Sequence, residues 1–118
     1  MLIAKGPDKY QIAGLTAAYG DILERQNPGS LIGHRFLLGY DGAIAHVPSM
    51  SDVFRYDRLE DVLTPGAQLR IIYPSRSREE SELRFARANQ IMGVAWWDMN
   101  CHQTMDFVAG LPQNPWAT

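Results

Sequence analysis

The sequence predicts an α+β domain, a small antiparallel sheet packed against helices. Three observations carry this. Asp41-Gly42 lies between two short apolar runs, a serine-capped stretch of helical spacing begins at Ser77, and a second helical stretch follows Asn100. Strands early and helices late mark an α+β arrangement rather than alternating parallel units. With 118 residues, 46% hydrophobic and 20% charged, the chain carries enough apolar material for one core. Residues 1–118 are therefore expected to form a single domain that needs no metal or disulfide to fold.

Taken in order, residues 9–19 place Ile12, Leu15 and Ala17-Ala18 at roughly helical spacing and predict a short helix. Gly20-Asp21-Ile22-Leu23-Glu24 reads as the opening of a strand, with Asp21 in a turn role. Asn27-Pro28-Gly29-Ser30 has the composition of a turn. Asp-Gly between apolar runs signals a hairpin, because both residues tolerate positive φ. Phe36-Leu37-Leu38 and Ala43-Ile44-Ala45 should then pair antiparallel, with Pro48 closing the second strand. Residues 57–63 suggest one helical turn with Leu59, Val62 and Leu63 inward, and Leu69 to Tyr73 a further strand bounded by Pro65-Gly66 and Pro74. Three or four strands are expected in all.

Ser77-Arg78-Glu79-Glu80 has the form of a capping box and opens a helix to about Met92, with Phe85, Ala88 and Met92 on one face. Gly93 suits its end. Trp96 and Trp97 are expected in the core or along a cleft wall. Asn100 is a good helix N-cap, which makes Cys101 the first residue of a last helix and places Met105 and Val108 on its face.

Composition also excludes. Thirteen acids against 11 bases leave a net charge of -2 and no basic field for nucleic acid. Apolar runs such as Phe36 to Leu38 fall far short of the roughly 20 residues that span a bilayer. The first residues break at Gly6-Pro7 before a signal-peptide core could form. The single cysteine cannot form an internal disulfide, so a cytoplasmic location suits its free thiol. A zinc site from Cys101, His34, His46 and His102 lacks the close ligand pairs of structural sites. No glycine-rich phosphate loop exists, and no metal or cofactor is expected.

One constellation bears chemistry. Cys101 sits where a helix begins, and free N–H groups with the positive end of the helix dipole favour an anion there. A nucleophilic thiol needs a base within hydrogen-bond reach, and that base needs a third group to orient it. His34 and His46 flank the Asp41-Gly42 turn, so a tight hairpin brings them onto adjacent strands. His34 is the expected base and His46 its orienting partner. His102 points about 100° round the helix from the thiol and is expected to be exposed.

Gly20-Asp21, His34, Asp41-Gly42, His46 and Asn100-Cys101, in this order, resemble the lecithin:retinol acyltransferase-like family over residues 20–109. The resemblance implies a circularly permuted papain-like fold. It also implies a hydrolase or acyltransferase working through a thioester on Cys101, with His34 as base, His46 as third member and the Cys101 backbone N–H in the oxyanion site. The implied substrate is a small-molecule acyl compound, a lipid or a peptide. The chain differs from the family pattern at Arg35, where an aromatic is usual, and at His102 and Gln103, where glutamate and histidine are usual. A papain-like amidase or peptidase uses the same triad. A catalytically silent interaction module would keep the fold without the chemistry.

Overall fold

The Asp41-Gly42 turn is formed. Asp41 adopts φ 54° and Gly42 φ 78°, both in the left-handed region that a hairpin of this tightness requires. Strand β5 (His34–Leu38) thereby folds back on β6 (Ala43–His46), with Leu37 opposite Ala45 and Leu38 opposite Ile44. The structure is a computed structural model that describes residues 2–4, 9–12, 15–26, 33–63 and 66–112. Its other strands are β1 (Leu2–Ala4), β2 (Lys9–Ile12), β3 (Leu15–Ala18), β4 (Ile22–Gln26), β7 (Arg55–Arg58) and β8 (Gln68–Tyr73). Two helices follow, α1 (Arg78–Gln90) and α2 (Cys101–Ala109). The expected α+β class is what the chain adopts.

The main sheet is antiparallel and five-stranded, in the order β7-β6-β5-β4-β8, and β1-β2-β3 form a separate antiparallel sheet. The predicted helix at 9–19 is therefore corrected: residues 9–12 and 15–18 are strands paired from Lys9 with Ala18 to Ile12 with Leu15. The Lys9-Tyr10-Gln11-Ile12 run alternates polar and apolar, and a strand partner close in sequence captures that period of two over the looser helical spacing. The Asn27–Ser30 turn and Pro65 lie outside the described residues.

Alternation along the main sheet divides the interior in two. Leu23, Phe36, Leu38 and Ile44 face one side, where Ala17, Leu59 and Val62 cover them. Ile22, Leu37 and Ala45 face the other, against Ala88 of α1 and Met105 and Val108 of α2. Residues 59–61 form the expected single turn, which buries Leu59. Ahead of it, Arg55–Arg58 is an edge strand that hydrophobic pattern did not predict, because its side chains are nearly all polar.

Helix α1 begins as expected, with the Ser77 hydroxyl accepting from Glu80 N. The Glu80 carboxylate, however, takes Arg76 N and the Arg84 guanidinium instead of closing the box. Arg84 is buried and donates from Nη1 to the carbonyls of Gly20 and Tyr73, tying α1 to the turn between β3 and β4 and to β8. Asp21 does hold a turn: its carboxylate accepts from Ala18 N at 2.8 Å and Ser75 N at 2.7 Å. Trp97 is 76% exposed, so it is not core; Trp96 is half-buried against the helix-side cluster. None of the described helices is long and apolar enough to cross a membrane.

Candidate active site

His34 opens β5 and His46 closes β6, so the hairpin brings them to one end of the sheet. Both share the face of Phe36 and Ile44, and His34 Nε2 lies 2.8 Å from His46 Nδ1. The pairing expected from the spacing of the two histidines is thus present. His46 continues to β7, where its Nε2 lies 2.8 Å from Asp57 Oδ2. Arg55 Nε donates to the same oxygen at 2.9 Å. Three neighbouring strands therefore carry one file of side chains, His34, His46 and Asp57. Asp57 was not foreseen; its only signal was a place two residues after Arg55 in an otherwise polar run.

The donors and acceptors fix the tautomers. Burial pushes the Asp57 carboxyl up, but hydrogen bonds from Arg55 and His46 outweigh it and hold the group below the usual carboxylate range. Asp57 is thus an anion that only accepts, so His46 Nε2 carries the hydrogen. Burial lowers the His46 pKa more than Asp57 raises it, leaving a neutral ring whose Nδ1 is an acceptor. His34 must then donate from Nε2. Burial, followed by the influence of His46, Arg25 and His102, lowers the His34 pKa to about 3. A neutral His34 with its hydrogen on Nε2 keeps a bare lone pair on Nδ1. At neutral pH such a ring is a hydrogen-bond acceptor, and its low pKa makes it a weak base.

Cys101 is the first residue of α2, as expected. Asn100 caps the helix: its side-chain oxygen accepts from His102 N at 3.0 Å and Gln103 N at 2.9 Å, and Gln103 Oε1 accepts from Asn100 N at 3.0 Å. These bonds leave the Cys101 N–H, which opens the helix, without an intrahelical acceptor. The thiol is half-buried and packs with the helix-side core. His102 differs from expectation. It is half-buried, and its Nε2 lies 3.1 Å from the carbonyl of Gly33, next to His34. A carbonyl only accepts, so Nε2 donates. Hydrogen bonding with the Cys101 thiol raises the His102 pKa against the opposing effect of burial. A helical offset of one residue does not separate two side chains when a strand carbonyl draws the second one inward.

Cys101 and His34 are not hydrogen-bonded to each other, and the pocket containing His34 and His46 is not lined by Cys101. The two histidines are brought together on the Phe36–Ile44 face of the sheet, whereas Cys101 packs with the helix-side core on the other face; only the bond from His102 to the Gly33 carbonyl ties the start of α2 to the His34 end of β5. Arg35, on the helix side of β5, donates from Nε to Glu24 at 3.0 Å and approaches Asp106 of α2 at 3.9 Å. Among the described residues, no group of three or more histidine, cysteine or carboxylate side chains is arranged to hold a metal ion. No protein-family model matches the chain, and no curated protein matches it either.

Proposed function

We propose that the chain is a cysteine hydrolase or acyltransferase that works through a thioester on Cys101, with His34 as base and His46 as third member of the triad. The observation that carries this reading is the Asp57–His46–His34 file, which leaves His34 neutral with Nδ1 as its proton acceptor. An oriented imidazole with a ring nitrogen to spare is the kind of group a thiol nucleophile needs beside it. In the proposed reaction the Cys101 side chain turns towards the His34 end of β5, its S–H proton passes to His34 Nδ1, and the sulfur attacks an acyl carbonyl carbon. The C–S bond forms while the carbonyl electron pair moves onto oxygen, which the Cys101 backbone N–H stabilises. Collapse of the adduct expels the leaving group, which takes the proton from His34. Water or an acceptor amine or alcohol, deprotonated by His34, then attacks the thioester and returns the thiol.

A second reading has its own observation. Cys101 packs with the helix-side core and is not hydrogen-bonded to His34 on the other face of the sheet, which suits a catalytically silent interaction module of the same fold. Labelling of Cys101 by iodoacetamide at pH 7 separates the two. The enzyme reading expects His34→Ala to slow labelling about tenfold or more, as loss of a general base does, and His102→Ala to slow it far less. Labelling that ignores His34 and follows only His102 favours the silent module.

A further inference from the structure

The two edges of the main sheet differ. On the β7 side the outward backbone groups are engaged at both ends of the strand: Phe54 N donates to Val94 O, Gly93 N to Phe54 O, and Arg58 N to Asp61 Oδ2. On the β8 side no strand among the described residues pairs with the outer edge, and β3, which passes near it, pairs only with β2. The ladder shows which groups β8 leaves open. Leu38 N donates to Asp21 O and Gly20 N to Leu38 O, so Leu38, Phe36 and His34 turn their N–H and C=O towards β4. Opposite them Leu23 and Arg25 turn towards β5, which leaves Ile22, Glu24 and Gln26 facing β8. Gln68 and Arg70 pair back onto Gln26 and Glu24, so the N–H and C=O of Leu69 and Ile71 point outward. Both residues are half-buried, and a bulge at Ile72 ends the open stretch.

Outward donors and acceptors at this spacing fit the backbone of another extended strand. The residue between them sets what that strand should carry. Arg70 is 67% exposed and gives Nε and Nη2 to one oxygen of Glu24, leaving the Nη1 donors for a second acceptor. Glu24 already divides its charge between Arg70 and Arg35. In an added antiparallel strand the residue opposite Arg70 forms the non-hydrogen-bonded pair, where side chains come closest, and an acid there is favoured. The side chains of Leu69 and Ile71 lie on the other face, at the rim of the core beside Leu15 and Leu63, and call for apolar neighbours. We infer that the β8 edge binds an extended segment of another protein, of apolar–acidic–apolar pattern, by strand addition along Leu69–Ile71. A second copy of this chain fits less well, because the two-fold register that matches Leu69 with Ile71 sets Arg70 against Arg70. Binding here uses neither Cys101 nor the histidines and stands independently of the acyl-transfer reading.

The test is a nitrogen-15 NMR titration of the whole chain with the end-blocked peptide Thr-Val-Glu-Val-Thr, its analogue with lysine for glutamate, and two N-methylated forms. Shifts should saturate and centre on Leu69, Arg70 and Ile71, with amide exchange slowed at Leu69 and Ile71. N-methylation of both valines removes the N–H groups that face β8 and should abolish binding. N-methylation of the glutamate, whose N–H points away, should weaken it by about threefold at most. The lysine peptide should bind about fivefold more weakly. Arg70→Gln, shown to be folded by the same spectrum, should lose that preference and keep the sensitivity to valine methylation; should it not fold, the peptide comparisons on wild type decide. The inference is overturned if no saturation appears up to about 5 mM, if the shifts lie away from β8, if both methylated peptides bind alike, or if the glutamate and lysine peptides bind wild type equally. It is overturned too if sedimentation shows a dimer of this chain whose Leu69 and Ile71 amides are protected, since a second copy then holds the edge.

Discussion

Removing the imidazole of His34 should make the protein less sensitive to acid. In the folded chain burial, His46, Arg25 and His102 lower the His34 pKa from 6.5 to about 3. The unfolded chain therefore binds this proton first as pH falls, and each pH unit below 6.5 weakens the fold by roughly 1.4 kcal/mol. The stabilisation is complete above pH 6.5 and is lost progressively towards pH 3. At pH 4.5, two units down, the loss from this residue is about 3 kcal/mol, a large share of the roughly 5–15 kcal/mol that holds a domain together. His34→Gln removes the titration while keeping an N–H that can reach His46 Nδ1. Urea unfolding followed by tryptophan fluorescence at pH 7.5 and 4.5 gives the comparison. Wild type should lose about 3 kcal/mol more than the variant between the two conditions, since Glu24, His46 and Asp57 titrate in both. Equal losses would refute the half-buried, neutral His34 on which the site depends.

Asp57→Asn replaces an obligate acceptor by an amide that can donate to His46 Nε2, so the His46 hydrogen should move to Nδ1; nitrogen-15 NMR of the imidazoles should show that switch, and Cys101 labelling should slow about tenfold. Asn100→Ala removes the cap of α2, two bonds from its side-chain oxygen and the anchoring of Gln103, and should cost about 1–2 kcal/mol in urea unfolding, with Asn100→Ser restoring most of it. Glu24 is buried, and burial raises its pKa, but hydrogen bonds from Arg35 and Arg70 outweigh this and leave it below 4.5. Its contribution is present above pH 4.5 and lost as pH falls below that value, so Glu24→Gln should flatten the acid limb of a stability–pH profile between about pH 5 and 3.

The elements legible in the sequence are those whose instructions are local. Asp41-Gly42 sets the β5–β6 turn by backbone conformation alone, and with it the approach of His34 to His46. Asn100 and Ser77 announce α2 and α1 by capping chemistry that needs no tertiary partner. What escaped was set by distant partners. The strand at 9–12 exists because it pairs, and spacing alone read it as part of a helix. Arg55–Arg58 has almost no apolar side chain to announce an edge strand, so Asp57 and its bond to His46 could not be placed. Arg84, buried in the middle of a helix, gives no sign in sequence that it will bridge to Gly20 and Tyr73. For His102, helical geometry was the wrong guide because the carbonyl of Gly33, on another element, takes its side chain.

The most direct test of the central claim is the intact mass of the protein after mixing with activated thioesters and p-nitrophenyl esters of graded chain length. Wild type should gain the mass of one acyl group, located on Cys101 by peptide mapping. The gain should be absent in Cys101→Ala, strongly slowed in His34→Ala, and only moderately slowed in His46→Ala, which removes orientation of the base and not the base itself. Absence of any Cys101 adduct from every acyl donor, or an adduct that forms equally fast without His34, would contradict the account.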